Sequence, residues 1–233
     1  MPRKPRPPRK PQQASRSSFL ARIAKGILIF FIALLALIEI YAFVPIPLTP
    51  LMVIRAFQGH AIHHTWVPLS KMPSYLPAMA LASEDNLFCS HNGFDFAAID
   101  KALEGGRGRG ASTISQQTAK NVFLWPGRNW VRKGLEVPLT LLIETLWGKK
   151  RIMEIYLNVA EFGPGIYGVG AAAKYRFHTT PKKLSRRQAA LLIAILPNPL
   201  HWSPTHPGPY VAQRAGILQR RIWQLGPATA CVR

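Results

Sequence analysis

Three short constellations in this chain could do chemistry. The first is Glu84-Asp85-x-x-Phe88-x-x-His91-x-Gly93, which closes an apolar run, Met79-Ala80-Leu81-Ala82. A carboxylate beside apolar side chains suits a general base; the same pair also reads as a surface acidic couple of little energetic weight. His91 stands alone, without the His-x-x-x-His spacing of a transition-metal site, and reads as a structural histidine. The second constellation is Gly110-Ala111-Ser112-Thr113-Ile114-Ser115-Gln116-Gln117-x-x-Lys120-Asn121. It is a polar helix start, where free backbone N–H groups favour an anion such as phosphate and the hydroxyls and amides add donors. Ser112 as an N-cap explains part of it without any ligand. The third is Arg132-Lys133-x-x-Glu136, two cations and a carboxylate on one helical turn. It reads either as a surface ion pair or as a clamp for a pyrophosphate leaving group.

These residues need helices to hold them, and the periodicity supplies helices. Asp95–Glu104 is amphipathic and runs into a flexible basic loop, Gly105–Gly110. A helix resumes from Ser112 to about Trp125. Arg132–Trp147 places Leu135, Leu139, Leu142, Ile143 and Leu146 at helical spacing, with a kink expected at Pro138. Lys149–Ala160 is a further helix, followed by a turn with Gly163, Gly165, Gly168 and Gly170. Ser185-x-x-Gln188 has the form of a capping box that opens an apolar helix to Leu196, which Pro197-Asn198-Pro199 stops. Val211, Ala215, Leu218, Ile222 and Leu225 line a final amphipathic helix. No alternating strand and no repeat stands out, so an all-α domain is expected over residues 45–233.

The chain has 233 residues, room for one domain and an appendage, and a net charge of +20 that points to anionic partners. Residues 1–25 carry eight Lys and Arg, five prolines and no acid, the composition of a disordered basic tail. Residues 26–44 carry one charge, Glu39, and as a helix would be roughly 28 Å long, close to the bilayer core. No small-x-small cleavage site follows, so a retained transmembrane anchor is expected rather than a signal peptide. The positive-inside rule then keeps the tail in the cytoplasm, where it meets anionic lipid rather than nucleic acid. The apolar-rich stretch Met52–Val67 would let the outer domain touch the membrane as well. The two cysteines, Cys89 and Cys231, exclude a disulfide-dense scaffold and a four-cysteine zinc site, and are expected to stay unpaired.

Taken in order, five blocks closely resemble the family-51 peptidoglycan glycosyltransferases, and within them the monofunctional members: EDNLFCSHNG (84–93), GASTISQQTAKN (110–121), RKGLE (132–136), KKRIMEIYLNVAEFGPGIYGVGAAAKY (149–175) and LSRRQAALLIAILPNP (184–199). The resemblance implies a lysozyme-like, two-lobed, mainly helical fold. It implies polymerisation of lipid II onto a growing glycan chain, with inversion and release of undecaprenyl pyrophosphate. By resemblance Glu84 is the base that takes the acceptor hydroxyl proton, and Glu136 is a second essential glutamate near the pyrophosphate with Arg132 and Lys133. Asp85, Ser112, Thr113, Gln116, Gln117 and Lys120 match the substrate-binding blocks, and Glu154 and Asn158 match structural positions. No cofactor is required, although Mg²⁺ or Mn²⁺ could sit at the pyrophosphate. The implied location is the inner membrane with the catalytic domain in the periplasm; membrane lipids and cell-wall or division proteins are the further expected partners. Gln188 stands where the family usually has Glu, and His178 and Thr179 where it often has Gly and Lys. The sequence holds no Ser-x-x-Lys pair, so cross-linking is expected to fall to another protein.

Two other classes fit parts of the pattern. A lysozyme-like hydrolase would use carboxylates in such a cleft but needs no cation clamp. A membrane-anchored basic binding protein accounts for charge and anchor, but gives no reason for paired glutamates in ordered blocks.

Overall fold

The computed structural model describes residues 14–104, 112–127 and 129–232. The proximal part of the basic tail and the glycine-arginine loop at 105–110 lie outside the described residues. The chain divides into two units, Met1–Ile40 and Tyr41–Arg233. Helix α1, Ala14–Phe43, makes up the described residues of the first unit and continues into the sequence of the second. It starts within the segment expected to be disordered. Its Phe19–Phe43 portion is long and apolar enough to cross a membrane, and its side chains there are almost all exposed, as a lipid-facing surface would be.

The second unit is a helical domain, as its periodicity predicts. Its elements are α2 (Pro50–Phe57), α3 (Tyr75–Glu84), α4 (Phe96–Glu104), α5 (Ile114–Phe123), α6 (Trp130–Val159), α7 (Gly168–Phe177), α8 (Arg186–Ile195) and α9 (Pro209–Leu225). Thr49 caps α2 by accepting from the Met52 N–H, and Pro50 sits at its first turn where a missing N–H costs nothing. In α2, Met52 is buried in the core while Phe57 is exposed, so the apolar stretch expected at the membrane divides between two fates.

Helix α6 is the axis of the domain. It packs along α5 and against α7, while α3, α8 and α9 pack on one another. Pro138 does not break it: the residue with non-helical dihedrals is Gly148, at φ 70° and ψ 161°. The carbonyl that Pro138 leaves without a donor belongs to exposed Gly134, where water can satisfy it. Gly148 alone turns the chain, because only glycine adopts that backbone without strain.

A pair of two-residue strands, absent from the sequence expectation, runs parallel: β1 (His63–His64) and β2 (Ile166–Tyr167), with His63 opposite Ile166. They are too short to show alternation, and glycines make them possible. A Cβ on Gly165 would lie 2.1 Å from the Ala61 carbonyl oxygen, and one on Gly168 2.3 Å from that of Asn158. Asn158 and Glu154 are structural, as expected, but what they hold is the segment after β1. Asn158 accepts from the Val67 N–H at 2.8 Å and donates to the Val67 carbonyl at 2.9 Å. Glu154 accepts from the Leu69 N–H at 2.7 Å.

Two helix ends answer the departures from the family pattern. Ser185 and Gln188 form the expected reciprocal capping box on α8. His178 caps α7 at φ 52°, a left-handed conformation that glycine adopts most easily.

The expectation for the cysteines is overturned. Cys89 and Cys231 are disulfide-bonded, with Cα atoms 5.6 Å apart across 142 residues of sequence. Two cysteines this far apart carry no spacing signal, and only the packing of the 3-10 turn Gly226–Val232 near α3 and α6 brings them together. Cross-linking so long a loop restricts the unfolded chain strongly. The double variant Cys89→Ser/Cys231→Ser is expected to lose about 2–5 kcal/mol of stability. Urea denaturation, with the wild type in reductant as the parallel sample, measures it.

Candidate active site

Glu84 ends α3 and Asp85 follows as its cap, so adjacent carboxylates point into different surroundings. Glu84 accepts from Ser83 Oγ at 2.6 Å and from Arg214 Nη2 at 3.2 Å on one oxygen, and from Gln117 Nε2 at 3.3 Å on the other. Asp85 is buried. It accepts from the Ile114 N–H at 2.9 Å, at the start of α5, and meets His91 Nε2 at 3.0 Å. A carboxylate at a helix N-terminus gains from the helix dipole as well as from the hydrogen bond. Asp85, expected as a substrate contact, thus has its oxygens engaged in joining α3 to α5. His91 is structural, as read, and its Nδ1 accepts from the Gly93 N–H at 3.1 Å.

The polar start of α5 divides similarly. The N-cap is Thr113, not Ser112. Thr113 Oγ1 accepts from the Gln116 N–H at 3.2 Å and donates to the Gly93 carbonyl at 2.7 Å, and Gln116 reaches back to the Thr113 N–H at 3.0 Å. This capping box spends Gln116 on the helix. Ser112 is left exposed. One helical step further, Gln117 faces the site, donating to Glu84 and lying 3.5 Å from the Tyr156 hydroxyl. Lys120 and Asn121 follow on the next turn.

Arg132, Lys133 and Glu136 sit near the start of α6, which Asn129 caps through the Arg132 N–H. The two carboxylate oxygens of Glu136 are each matched to a cation: Arg132 Nη1 at 2.7 Å and Lys133 Nζ at 2.5 Å. Arg132 and Glu136 are buried, so this is not the exposed pair that the spacing alone allowed. With both oxygens committed, Glu136 holds cations in place. Among the described residues no group of three or more His, Cys, Asp or Glu converges as a metal site would require.

Two cavities flank Gln117 and Glu84. The first, about 380 Å³, is lined by Gln117, Lys120, Asn121, Arg132 and Tyr156, with Arg55 and Glu161 at another wall. The second, about 310 Å³, is lined by Glu84, Asn86, Ser112, Thr113 and Arg221 among others. Burial holds the Lys120 ammonium below the ordinary lysine value; Glu136 counteracts this, while Arg132 and Lys133 reinforce it. Burial, followed by the negative charges of Glu84 and Asp85, pushes the Tyr156 hydroxyl well above its ordinary value, so it stays protonated as a donor. Lys133 anchors Glu136 from a partly exposed position.

Of the sequence candidates, then, Glu84, Gln117, Lys120 and Arg132 face the cavities with polar groups, and Ser112 borders the second. Thr113 and Asp85 also line the second cavity, but their polar atoms are engaged in the frame, as are those of Gln116. Arg214 was not foreseen: it comes from α9, outside any motif, and only the packing of α9 on α3 brings it to Glu84. Arg55, Tyr156 and Glu161 were likewise missed as lining residues, although Tyr156 and Glu161 lie within a recognised block.

This arrangement of ordered blocks can be set beside known proteins. The model of the family described as Transglycosylase matches residues 51–222. The chain belongs to the transglycosylase family. A relative in Caulobacter vibrioides named biosynthetic peptidoglycan transglycosylase is 50% identical over 224 residues, covering 92% of this chain and 95% of its own. Relatives of the same name in Bacteroides thetaiotaomicron and Pseudomonas aeruginosa are 53% and 49% identical, covering 88% of this chain and 85% and 93% of theirs. The match starts at Leu51, beyond α1, and takes in every site residue of this transglycosylase. Its helical fold is of the lysozyme-like class expected from the resemblance.

Two measurements follow from the geometry. Asp85→Asn leaves a poorer acceptor for the Ile114 N–H and unpairs His91, and is expected to cost about 2–4 kcal/mol in urea denaturation. Ser112→Ala should cost less than about 0.5 kcal/mol. For Lys120, the folded-state proton affinity is depressed, so its burial costs stability at neutral pH. That cost is relieved as pH rises through the depressed value toward the unfolded value near 10.5. Lys120→Met is therefore expected to melt about 2–4 °C higher at pH 7. The gain should shrink at high pH. A lower melting temperature at pH 7 would contradict the assignment.

Proposed function

We propose that this transglycosylase polymerises lipid II into β-1,4 glycan strands, with Glu84 as base and the Lys120–Arg132 wall as the pyrophosphate site. The observation that carries the reading is Gln117 on α5, which donates to Glu84 at the edge of the second cavity and lies one helical turn from Lys120 in the cation-lined wall of the first. Glu84 takes the proton from the acceptor 4-hydroxyl as its oxygen attacks the anomeric carbon of the donor. The bond from that carbon to the pyrophosphate oxygen breaks with inversion. Charge grows on the pyrophosphate in the transition state, where the fixed cations Lys120 and Arg132 lower its energy most. Glu136 holds Arg132 and Lys133 in position. Gln117 bridges the two halves, touching Glu84 and pointing at Tyr156. The relatives' name, biosynthetic peptidoglycan transglycosylase, points to the same chemistry.

A hydrolase would need a neutral acid at the glycosidic oxygen, and the cation-lined cavity gives it no advantage. A divalent ion at the pyrophosphate would depend on the substrate's own oxygens, because Glu136 is occupied. The reading places α1 across the inner membrane and the catalytic unit on the periplasmic side. The Cys89–Cys231 disulfide supports an oxidising compartment.

Glu84→Gln keeps the shape and removes the base. Polymerisation of labelled lipid II by the detergent-solubilised variant should fall at least ~10²-fold, with melting temperature and lipid II binding nearly unchanged. Retention of more than about a tenth of wild-type turnover would rule out Glu84 as the base.

A further inference from the structure

The last acidic residue of the chain is Glu161; Phe162–Arg233 carry ten Lys and Arg and no Asp or Glu. Folding gathers this imbalance on one side of the site. Helices α8 and α9 both belong to that stretch, and both pack on α3, which ends at Glu84. Lys182, Lys183, Arg186, Arg187 and Arg220 are exposed, and among the described residues no carboxylate pairs with them. Arg186 is held over two rings, Trp223 at 4.9 Å and Tyr75 at 5.7 Å from their centroids. Trp223 is itself 70% exposed. Arg221, also on α9, lines the second cavity with Glu84 and Asn86. With the amide oxygen of Asn86 turned toward it, Arg221 Nη2 donates at 2.8 Å. The basic face and the cavity beside the base therefore share a residue.

Such a face suits an extended, regularly charged anion that also offers flat apolar surfaces. Glycan strands with peptide stems have both: each stem carries free carboxylates, and sugar rings stack on exposed indoles. We propose that the α8–α9 face binds the stem carboxylates of the glycan strand at the second cavity, with Arg221 at the mouth and Trp223 with Arg186 as a stacking platform. This inference rests on the peptidoglycan reading above. Continuity with the cavity at Glu84 favours the strand over a lipid surface as the occupant. Several weak charge contacts on one strand add up to retention between additions, since each released contact faces a high local concentration of the next.

The test uses the full chain in detergent micelles and the variant Lys183→Gln/Arg187→Gln/Arg220→Gln, three exposed residues outside the catalytic machinery. Two soluble, lipid-free probes are compared by fluorescence anisotropy: uncross-linked glycan strands with their peptide stems, and the same strands stripped of stems by an amidase. Vesicles of phosphatidylglycerol and of phosphatidylcholine form a third arm. The wild type should prefer stem-bearing strands by about tenfold at low salt, and the variant should lose that preference, as expected for three partly exposed ion pairs. The initial rate of lipid II polymerisation should stay within about twofold of wild type. Equal binding to stripped strands overturns the proposal. So does an unchanged preference in the variant, or a variant defect confined to phosphatidylglycerol vesicles. Absence of lipid II polymerisation by the wild type would instead defeat the functional reading on which the proposal rests.

Discussion

The carboxylate of Asp85 at the first turn of α5 is the contact on which the site depends. It is buried, and one of its oxygens accepts from a backbone N–H that no other residue of α5 could satisfy. His91 approaches the same carboxylate, and the loop between them is closed further by Thr113 donating to the Gly93 carbonyl. A buried charge is tolerable only with such partners. The consequence is that α3, which delivers Glu84, and α5, which delivers Gln117 and Lys120, are fixed to each other beside the two cavities. The disulfide from Cys89 fastens the same loop to the 3-10 turn after α9.

Around this joint the polar groups follow one electrostatic logic. Four buried or half-buried acids each have a cation to answer them: Glu84 meets Arg214, Glu136 meets Arg132 and Lys133, Glu144 meets Lys149, and Glu161 meets Arg55. Lys120 is different. It is buried without a salt-bridging carboxylate of its own among the described residues, and burial is what chiefly depresses its proton affinity, with Glu136 opposing and Arg132 and Lys133 adding to the effect. On the proposed reading, an anion entering the first cavity would offset that burial cost, and fixed cations there would favour a leaving group whose charge grows during reaction.

Much of this was legible in the sequence, because helices advertise themselves by period and by caps. The helices α4, α5, α6, α8 and α9, the Ser185–Gln188 box and the ion triad at Arg132 follow from local spacing alone, whereas α7 is hidden because Gly168 and Gly170, which read as part of a turn, lie inside it. The rest depends on which helices pack together, and spacing is silent on that. Arg214 sits on an ordinary amphipathic helix and gains meaning only from its neighbour α3. The Cys89–Cys231 bond spans almost the whole domain. Ser112 and Thr113 are equally good caps by residue type, and Asp85 decides between them by holding the Ile114 N–H. Gly148 rather than Pro138 divides the long helix because a proline can remain helical where its orphaned carbonyl meets water, whereas the backbone at Gly148 is left-handed.

Residues 49–69 have a property of their own. They are secured at the His63–Ile166 and His64–Tyr167 register, at Val67 by both groups of Asn158, and at Leu69 by Glu154. Glycines at 165 and 170 let this segment approach at Ala61 and Thr65, where a Cβ would lie 2.1 and 2.2 Å from the carbonyl oxygens. A segment pinned at so many places is a strap of fixed length, not a slack tether. One added residue would shift every later fastening out of register. Evolution can therefore vary what this stretch presents to its surroundings, as the exposed Phe57 shows, but cannot vary how long it is.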